Sequence, residues 1–212
     1  MGVWGDVAEL VLPRRCAGCA APGQVLCGEC RATLAAPPRR VFPLVTPHVP
    51  VFACGSYDGP HRSVVLAMKE RNNISVRAHA GAVLEAALDY LEARGEIPPG
   101  CVLVPAPTRL SSARARGGDP VKHCCEATAR RVAPVLRLDE RAADQSELDA
   151  AGRRANLAGA VRLSAAPPLP GAAGPCIVVD DVVTTGATLQ ASVEKLLAHG
   201  ADVAGCLTFC AA

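Results

Sequence analysis

The sequence predicts an α/β fold: a mostly parallel sheet with helices on both faces, carrying a small N-terminal four-cysteine zinc module. Three observations lead there. Short apolar runs rich in β-branched residues alternate with segments of helical periodicity, the pattern that builds a parallel sheet. Residues 176–209 read as one complete strand, loop, helix and strand. Two Cys-x-x-Cys knuckles lie close together before any of this begins.

Taken in order, residues 4–12 have an apolar face and predict a short helix, and the cysteine knuckles follow. Five prolines, Pro37, Pro38, Pro43, Pro47 and Pro50, disfavour helix and central strand alike over residues 35–50, which read as a linker. A strand is expected over 51–57, a turn at Asp58-Gly59, and a helix from Pro60 carrying Val64, Val65 and Met68. A second helix over 76–94 places Ala80, Val83, Leu84, Ala87, Leu88 and Leu91 on one face. Pro98-Pro99-Gly100 ends it, and residues 101–104 are the next buried strand. Asp119 is a good N-cap with Pro120 in the first helical position, predicting a helix to about residue 132. A short strand is expected over 160–163, then a Pro, Ala and Gly rich excursion over 165–174. The organisation is a helix and cysteine module over 1–36, a linker over 37–50 and the α/β domain over 51–212.

Composition excludes several classes. A formal net charge of +2 and an isoelectric point near 8.0 give no strong pull toward nucleic acid. Aromatic residues make up 3%, which argues against a base-stacking platform as the main design. No early segment has the layout of an export signal and no apolar run approaches about 20 residues, so a cytoplasmic protein without membrane insertion is expected. Eleven cysteines are an odd number for a disulfide framework. Cys54, Cys101, Cys124, Cys125, Cys176, Cys206 and Cys210 sit in apolar or helical stretches and read as small core residues.

The remaining four are Cys16, Cys19, Cys27 and Cys30. Each knuckle can aim two thiolates at one ion, and two knuckles complete a tetrahedral site, which predicts one structural zinc. Gly18 and Gly28 suit the tight turns this requires. Four thiolates leave no open position, so such a metal stabilises rather than catalyses. Metal-free thiols and a redox pair are the alternatives; the second lacks a thioredoxin-like βαβ context.

The chemistry concentrates in Cys176-Ile177-Val178-Val179-Asp180-Asp181-Val182-Val183-Thr184-Thr185-Gly186-Ala187-Thr188. An apolar strand ends in two carboxylates and passes through a hydroxyl-rich loop into a helix marked by Leu189, Val193, Leu196 and Leu197. That helix should stop at Gly200. A loop opening a helix offers backbone N–H groups and the positive end of the helix dipole to an anion. Gly186 would let the backbone approach a phosphate closely, with Thr184, Thr185 and Thr188 adding hydroxyl donors. Asp180 and Asp181 are too acidic to face that phosphate and suit sugar hydroxyls or a hydrated cation. The plainer alternative is a buried strand whose acids only cap the next helix.

This stretch resembles the phosphoribosyl pyrophosphate (PRPP) signature of the type I phosphoribosyltransferases. Further residues make the chain similar to the ComF branch of that family over nearly its whole length. These are the cysteine knuckles, Tyr57-Asp58-Gly59 through Met68-Lys69, Val104-Pro105-Ala106-Pro107, and Gln145-Ser146 through Asn156-Leu157. The resemblance implies a type I phosphoribosyltransferase-like fold, PRPP as ligand, Mg²⁺ bound with it, and release of pyrophosphate on transfer. It implies that residues 184 to 188, Ala187 included, hold the 5′-phosphate and that Asp180 and Asp181 hold the ribose, directly or through Mg²⁺. Ala106, Pro107 and Thr108 would form a pyrophosphate-binding turn, with Arg109 as its nearest cation. Arg153, with Arg154, would reach pyrophosphate from a loop that closes over the substrate. The resemblance also implies a link with uptake of single-stranded DNA in natural transformation, alongside a DNA-uptake helicase.

The pattern departs at one place. Relatives commonly continue with an Arg-Gly-Phe-Asn-Gln type sequence, whereas this chain has Arg116-Gly117-Gly118-Asp119-Pro120. The aromatic and both amides are missing, so whatever contact they make is not supplied here. The acceptor and the oligomeric state are unread. Three readings stay open: a PRPP-dependent transferase, a non-catalytic DNA-uptake accessory, and a PRPP-sensing regulator. Arg114, Arg116, Lys69 and Lys122 read equally well as surface charges. His61, His79, His123 and His199 share no ligand spacing.

Overall fold

The computed structural model describes residues 14–69, 73–139, 160–164 and 174–212. The helix expected over 4–12 and the loop containing Arg153 and Arg154 lie outside these residues.

The chain is an α/β protein built on a five-stranded, mostly parallel sheet. Helix α1 (Gly28–Leu34) closes the cysteine module. Strands β1 (Arg39–Val41) and β2 (Val51–Ala53) follow, then helices α2 (Gly59–Lys69) and α3 (Ile74–Ala93). Strand β3 (Val102–Pro105) leads into the short helices α4 (Leu110–Ala115) and α5 (Pro120–Glu126). Strands β4 (Leu136–Leu138) and β5 (Val161–Leu163) form a separate antiparallel pair. Strand β6 (Cys176–Val183), helix α6 (Ala187–Leu197) and strand β7 (Val203–Ala211) complete the described chain.

The strand order is β1-β2-β7-β6-β3. All neighbours run parallel except β1, which pairs antiparallel with β2, Arg40 opposite Phe52. Residues 176 to 179 of β6 are wholly buried, as a strand covered on both faces requires. Alternation then divides the core. Ile177 and Val179 join the cluster with α1, α2, α3 and α5, while Cys176 and Val178 join the one with α6, β4 and β5. Cys16, Leu26, Cys30 and Leu34 of the cysteine module belong to the first cluster, together with Phe52, Met68 and Phe209. The seven other cysteines are all buried, and burial pushes Cys54, Cys124, Cys176 and Cys210 up to about 12, where thiols are inert.

Several expectations shift. The proline-rich stretch supplies β1, because an edge strand needs hydrogen bonds on one side only. The helix from Pro120 is capped by Asp119 as expected, its side chain accepting from the N–H groups of Val121 and Lys122 at 3.0 and 3.2 Å. It stops at Glu126 rather than near 132. The backbone around Val132 instead pairs in parallel with Leu103, whose N–H donates to Arg131 O at 2.8 Å. Strand β6 carries both acids as expected and runs on beyond them to Val183, paired with β7. Strand β2 is shorter than the run 51–57. Among the described residues no helix is long and apolar enough to cross a membrane.

Two arginines hold the segment after β3 against α3. Arg77, 2% exposed, reaches His123 Nδ1 and donates to the carbonyl oxygen of Arg116, both at 2.7 Å. Arg130 forms ion pairs with Glu85, Asp89 and Glu92, which recur on one face of α3. Burial works against its charge, but Glu85 and Glu92 outweigh that and hold the guanidinium more firmly protonated than usual. Replacing Arg130 by Met leaves three carboxylates facing one another and should lower stability by about 2–3 kcal/mol, read from the urea midpoint. A midpoint within experimental error of the wild type would refute this role.

Candidate functional site

The carboxyl ends of β3 and β6 meet at one edge of the sheet, the place where open α/β sheets form their binding crevices. Their register is fixed by Pro105 opposite Val179, and the Ala106 N–H donates to Val179 O at 2.7 Å. The turn of Ala106, Pro107 and Thr108 is thereby held beside the start of the acidic pair. Ala106 and Pro107 are buried, Thr108 is half-buried, and Arg109 is exposed at the N-cap position of α4.

Because β6 is extended through Asp180 and Asp181, the two carboxylates leave it on opposite sides. Asp180 follows the alternation of Cys176 and Val178 and lines a recess with Val182, Val183 and the loop running to Leu189. Asp181 follows Ile177 and Val179 toward α2, where its Oδ2 lies 2.7 Å from Lys69 Nζ. Both acids also border a small, mainly apolar cavity formed with Met68, Leu84, Val121, Cys124, Val179 and Phe209. Burial pushes the Asp180 carboxyl up to about 8, and the neighbouring Asp181 charge adds to this. The Asp181 N–H, donating to Asp180 Oδ1 at 2.8 Å, and Lys69 oppose the rise without cancelling it.

The loop after β6 brings Thr184, Thr185, Gly186, Ala187 and Thr188 to the recess beside Asp180. Thr184 and Thr185 are exposed, and the Ala187 N–H donates to Thr185 Oγ1 at 3.4 Å. Gly186 adopts a left-handed φ of 88° at the N-cap of α6. A Cβ there would lie 2.4 Å from Val45 O and 2.8 Å from Pro43, so the missing side chain makes room for the linker. The Val45 N–H also donates to Thr185 O at 2.8 Å, tying residues 43–45 onto the loop. The sequence gives no sign of this, because the partners are far apart along the chain.

Lys69 is the site residue that sequence reasoning left as a possible surface charge. Its side chain is 29% exposed and that of Asp181 14%. Lys122 is a surface charge, pairing with Glu126 one helical turn away at 3.5 Å. Among the other basic residues, Arg114 is exposed and Arg116 half-buried. Arg153 lies outside the described residues. His61 is buried against Phe209.

The second candidate centre is the cysteine group. The sulfur atoms of Cys16, Cys19, Cys27 and Cys30 all lie within 4.8 Å of one another. Cys19 and Cys27 are 3.7 Å apart, against roughly 3.8 Å for the edge of a tetrahedron with zinc–sulfur bonds of about 2.3 Å. The group can therefore bind a metal such as zinc, and its all-thiolate donor set suits that ion. Burial acts to raise the Cys16 thiol, but N–H donors of Cys27, Cys19 and Gly18 outweigh it and bring it down to about 6. Cys30 is pushed up by burial and by the neighbouring cysteines. A Cβ on Gly18 would sit 2.5 Å from Cys30 Sγ, so this glycine is needed for the approach of the sulfur. Gly28 has open space around it and no left-handed φ, so the second knuckle turns without needing its glycine.

Two measurements follow. Protein purified without added zinc should carry one metal ion per chain by elemental analysis, and a chelator should lower its melting temperature; a metal-free, equally stable chain would refute the metal centre. For Asp180, the folded state keeps a proton that the unfolded chain loses above about pH 4. The stability this provides is full below pH 4 and is lost as pH rises through about 8. Asp180→Asn should therefore be more stable than wild type at pH 8 by on the order of 1 kcal/mol, the gain shrinking to nothing near pH 4. Equal pH profiles would show that Asp180 is not destabilised by burial.

Compared with models of known protein families and with characterised proteins, the chain gives no match.

Proposed function

We propose that this chain is a PRPP-binding, phosphoribosyltransferase-like protein similar to the ComF family, transferring a phosphoribosyl group and releasing pyrophosphate. The observation that carries the reading is the recess at the end of β6, where Asp180 and residues 184–188 share one wall and the Ala106 turn is tied to the same strand. A phosphorylated sugar needs this combination: N–H and hydroxyl donors for the phosphate and a carboxylate for the sugar hydroxyls. Thr184, Thr185 and Thr188 would anchor the 5′-phosphate with the first turn of α6. Asp180 and Asp181 would hold the ribose, and Ala106, Pro107, Thr108 and Arg109 the pyrophosphate.

Two carboxylates at the strand end are oxygen donors of the kind Mg²⁺ prefers, so the residues fit a substrate-borne ion. Bound there, Mg²⁺ would neutralise charge building on the pyrophosphate. In the transfer itself the bond from C1 of ribose to a pyrophosphate oxygen breaks, and its electron pair leaves with pyrophosphate. A lone pair of the acceptor forms the new bond to C1, and the acceptor gives up a proton. The developing positive charge on the ribose favours a nearby carboxylate, the part assigned to Asp180 and Asp181. Arg153 would add a cation to the departing group.

A second reading, PRPP binding without turnover, draws support from the segment after α4. Arg116 O accepts from Arg77, Asp119 caps α5, and Gly117 and Gly118 carry left-handed φ values of 61° and 116°. These residues serve the backbone and offer no amide or aromatic side chain to an acceptor. Single-stranded DNA and a DNA-uptake helicase remain proposed partners only through the family resemblance.

Calorimetry with PRPP and Mg²⁺ should show binding to the wild type, weakened at least about tenfold in Asp180→Asn/Asp181→Asn. Absence of wild-type binding would sink both readings. Pyrophosphate release on adding candidate bases separates transfer from sensing.

A further inference from the structure

We propose that Lys69 is a tethered cation that competes with a divalent metal ion for Asp181, so that the site accepts a metal together with a polyanionic substrate and resists it alone. The proposal rests on the PRPP reading only for its second half. The competition itself follows from the ion pair.

Three observations carry it. Lys69 is the last residue of α2, and the helix delivers its side chain to the carboxyl edge of the sheet. Nζ lies 2.7 Å from Asp181 Oδ2, with both side chains largely withdrawn from water, where a charge pair keeps more of its strength than on an open surface. The contrast within the chain is Lys122 with Glu126, longer at 3.5 Å and between side chains 40% and 47% exposed. Asp181 also borders a small cavity with Asp180, so the ammonium sits on one of the two carboxylates proposed to hold the ribose.

An ammonium is a compact point charge with three donors, and it occupies the coordination position that a cation would take on that oxygen. A metal ion arriving alone must break this pair and displace the ammonium from the carboxylate it neutralises. A metal ion arriving on pyrophosphate brings the compensating charge with it. The released ammonium can then turn to phosphate oxygens, a role for which lysine is suited. Lys69 is on this account a positioning residue whose charge makes cation and substrate enter together.

The test is a titration of the full-length, zinc-loaded protein with Mn²⁺ alone, followed by electron paramagnetic resonance. Lys69→Gln should bind Mn²⁺ about tenfold more tightly than wild type. Lys69→Arg, which keeps the charge, should remain near wild type, and Lys69→Gln/Asp181→Asn should lose the gain. A purely structural ion pair would not raise metal affinity when broken. Lys69→Met retains the apolar stem and reports the same quantity should the glutamine variant not fold. Mn²⁺ affinity equal to or below wild type in the uncharged variants overturns the proposal. Because the titration contains no PRPP, a wild type that fails to bind PRPP in calorimetry sinks the functional reading separately.

Discussion

Strand β6 is hydrogen-bonded in parallel to β3 on one side and to β7 on the other, with its first four residues sealed from solvent. The remaining features of the carboxyl edge are consequences of that double pairing. It fixes the height at which Asp180 and Asp181 emerge and holds the Ala106 turn beside them through the Val179 carbonyl. It also fixes where α6 can begin. The extended backbone sends the acids to opposite sides, one toward the hydroxyl-rich loop and one toward the end of α2. A strand ending before the acids would have left both in a loop, free to face the same way, and the separation of Asp181 with Lys69 from Asp180 would not arise.

The energetics at this edge differ from those of the core. Around β6 the stabilising term is removal of apolar surface from water by Val178, Val179, Leu189, Val193 and Leu207, and it has no strong angular requirement. At the strand end polar groups are withdrawn from water as well, and each must be matched. Lys69 matches Asp181, while Asp180 is accommodated by retaining its proton near neutrality. Arg77 and Arg130 do the opposite work, spending their guanidinium groups on holding the segment after β3 against α3.

The parts of this molecule legible in the sequence are those whose cause is local. The β6-loop-α6-β7 unit, the Asp119 cap and the two cysteine knuckles are each specified by residues a few positions apart, and their side chains do what the spacing implies. What was not legible depends on partners distant in the chain. Nothing near Pro37 or Pro43 announces that residues 39–41 pair with β2, since an edge strand carries only a weak pattern. The early end of the helix at Glu126 is decided by Leu103 and by the acids of α3, neither of which lies in its own segment. Lys69 looks like any helix-terminal lysine until Asp181 is placed beside it. Gly186 answers to a packing neighbour as well, the segment 43–45, which its own surroundings in the chain do not announce.

The contact of Val45 with Thr185 has a further meaning for how the chain can be divided. The segment that crosses the loop after β6 is continuous, through β1 and α1, with the cysteine knuckles, and those knuckles share a core with Met68 at the far end of α2. The N-terminal region thus grips the carboxyl edge of the sheet from two directions, over the loop and beneath the helix that carries Lys69. A cut before Val51 would remove the outer strand of the sheet and uncover Gly186 while leaving every proposed ligand-contacting residue of the α/β body in the polypeptide. Such a fragment would contain the whole written signature and lack the scaffold that gives it shape, so module and site are inherited as one mechanical object.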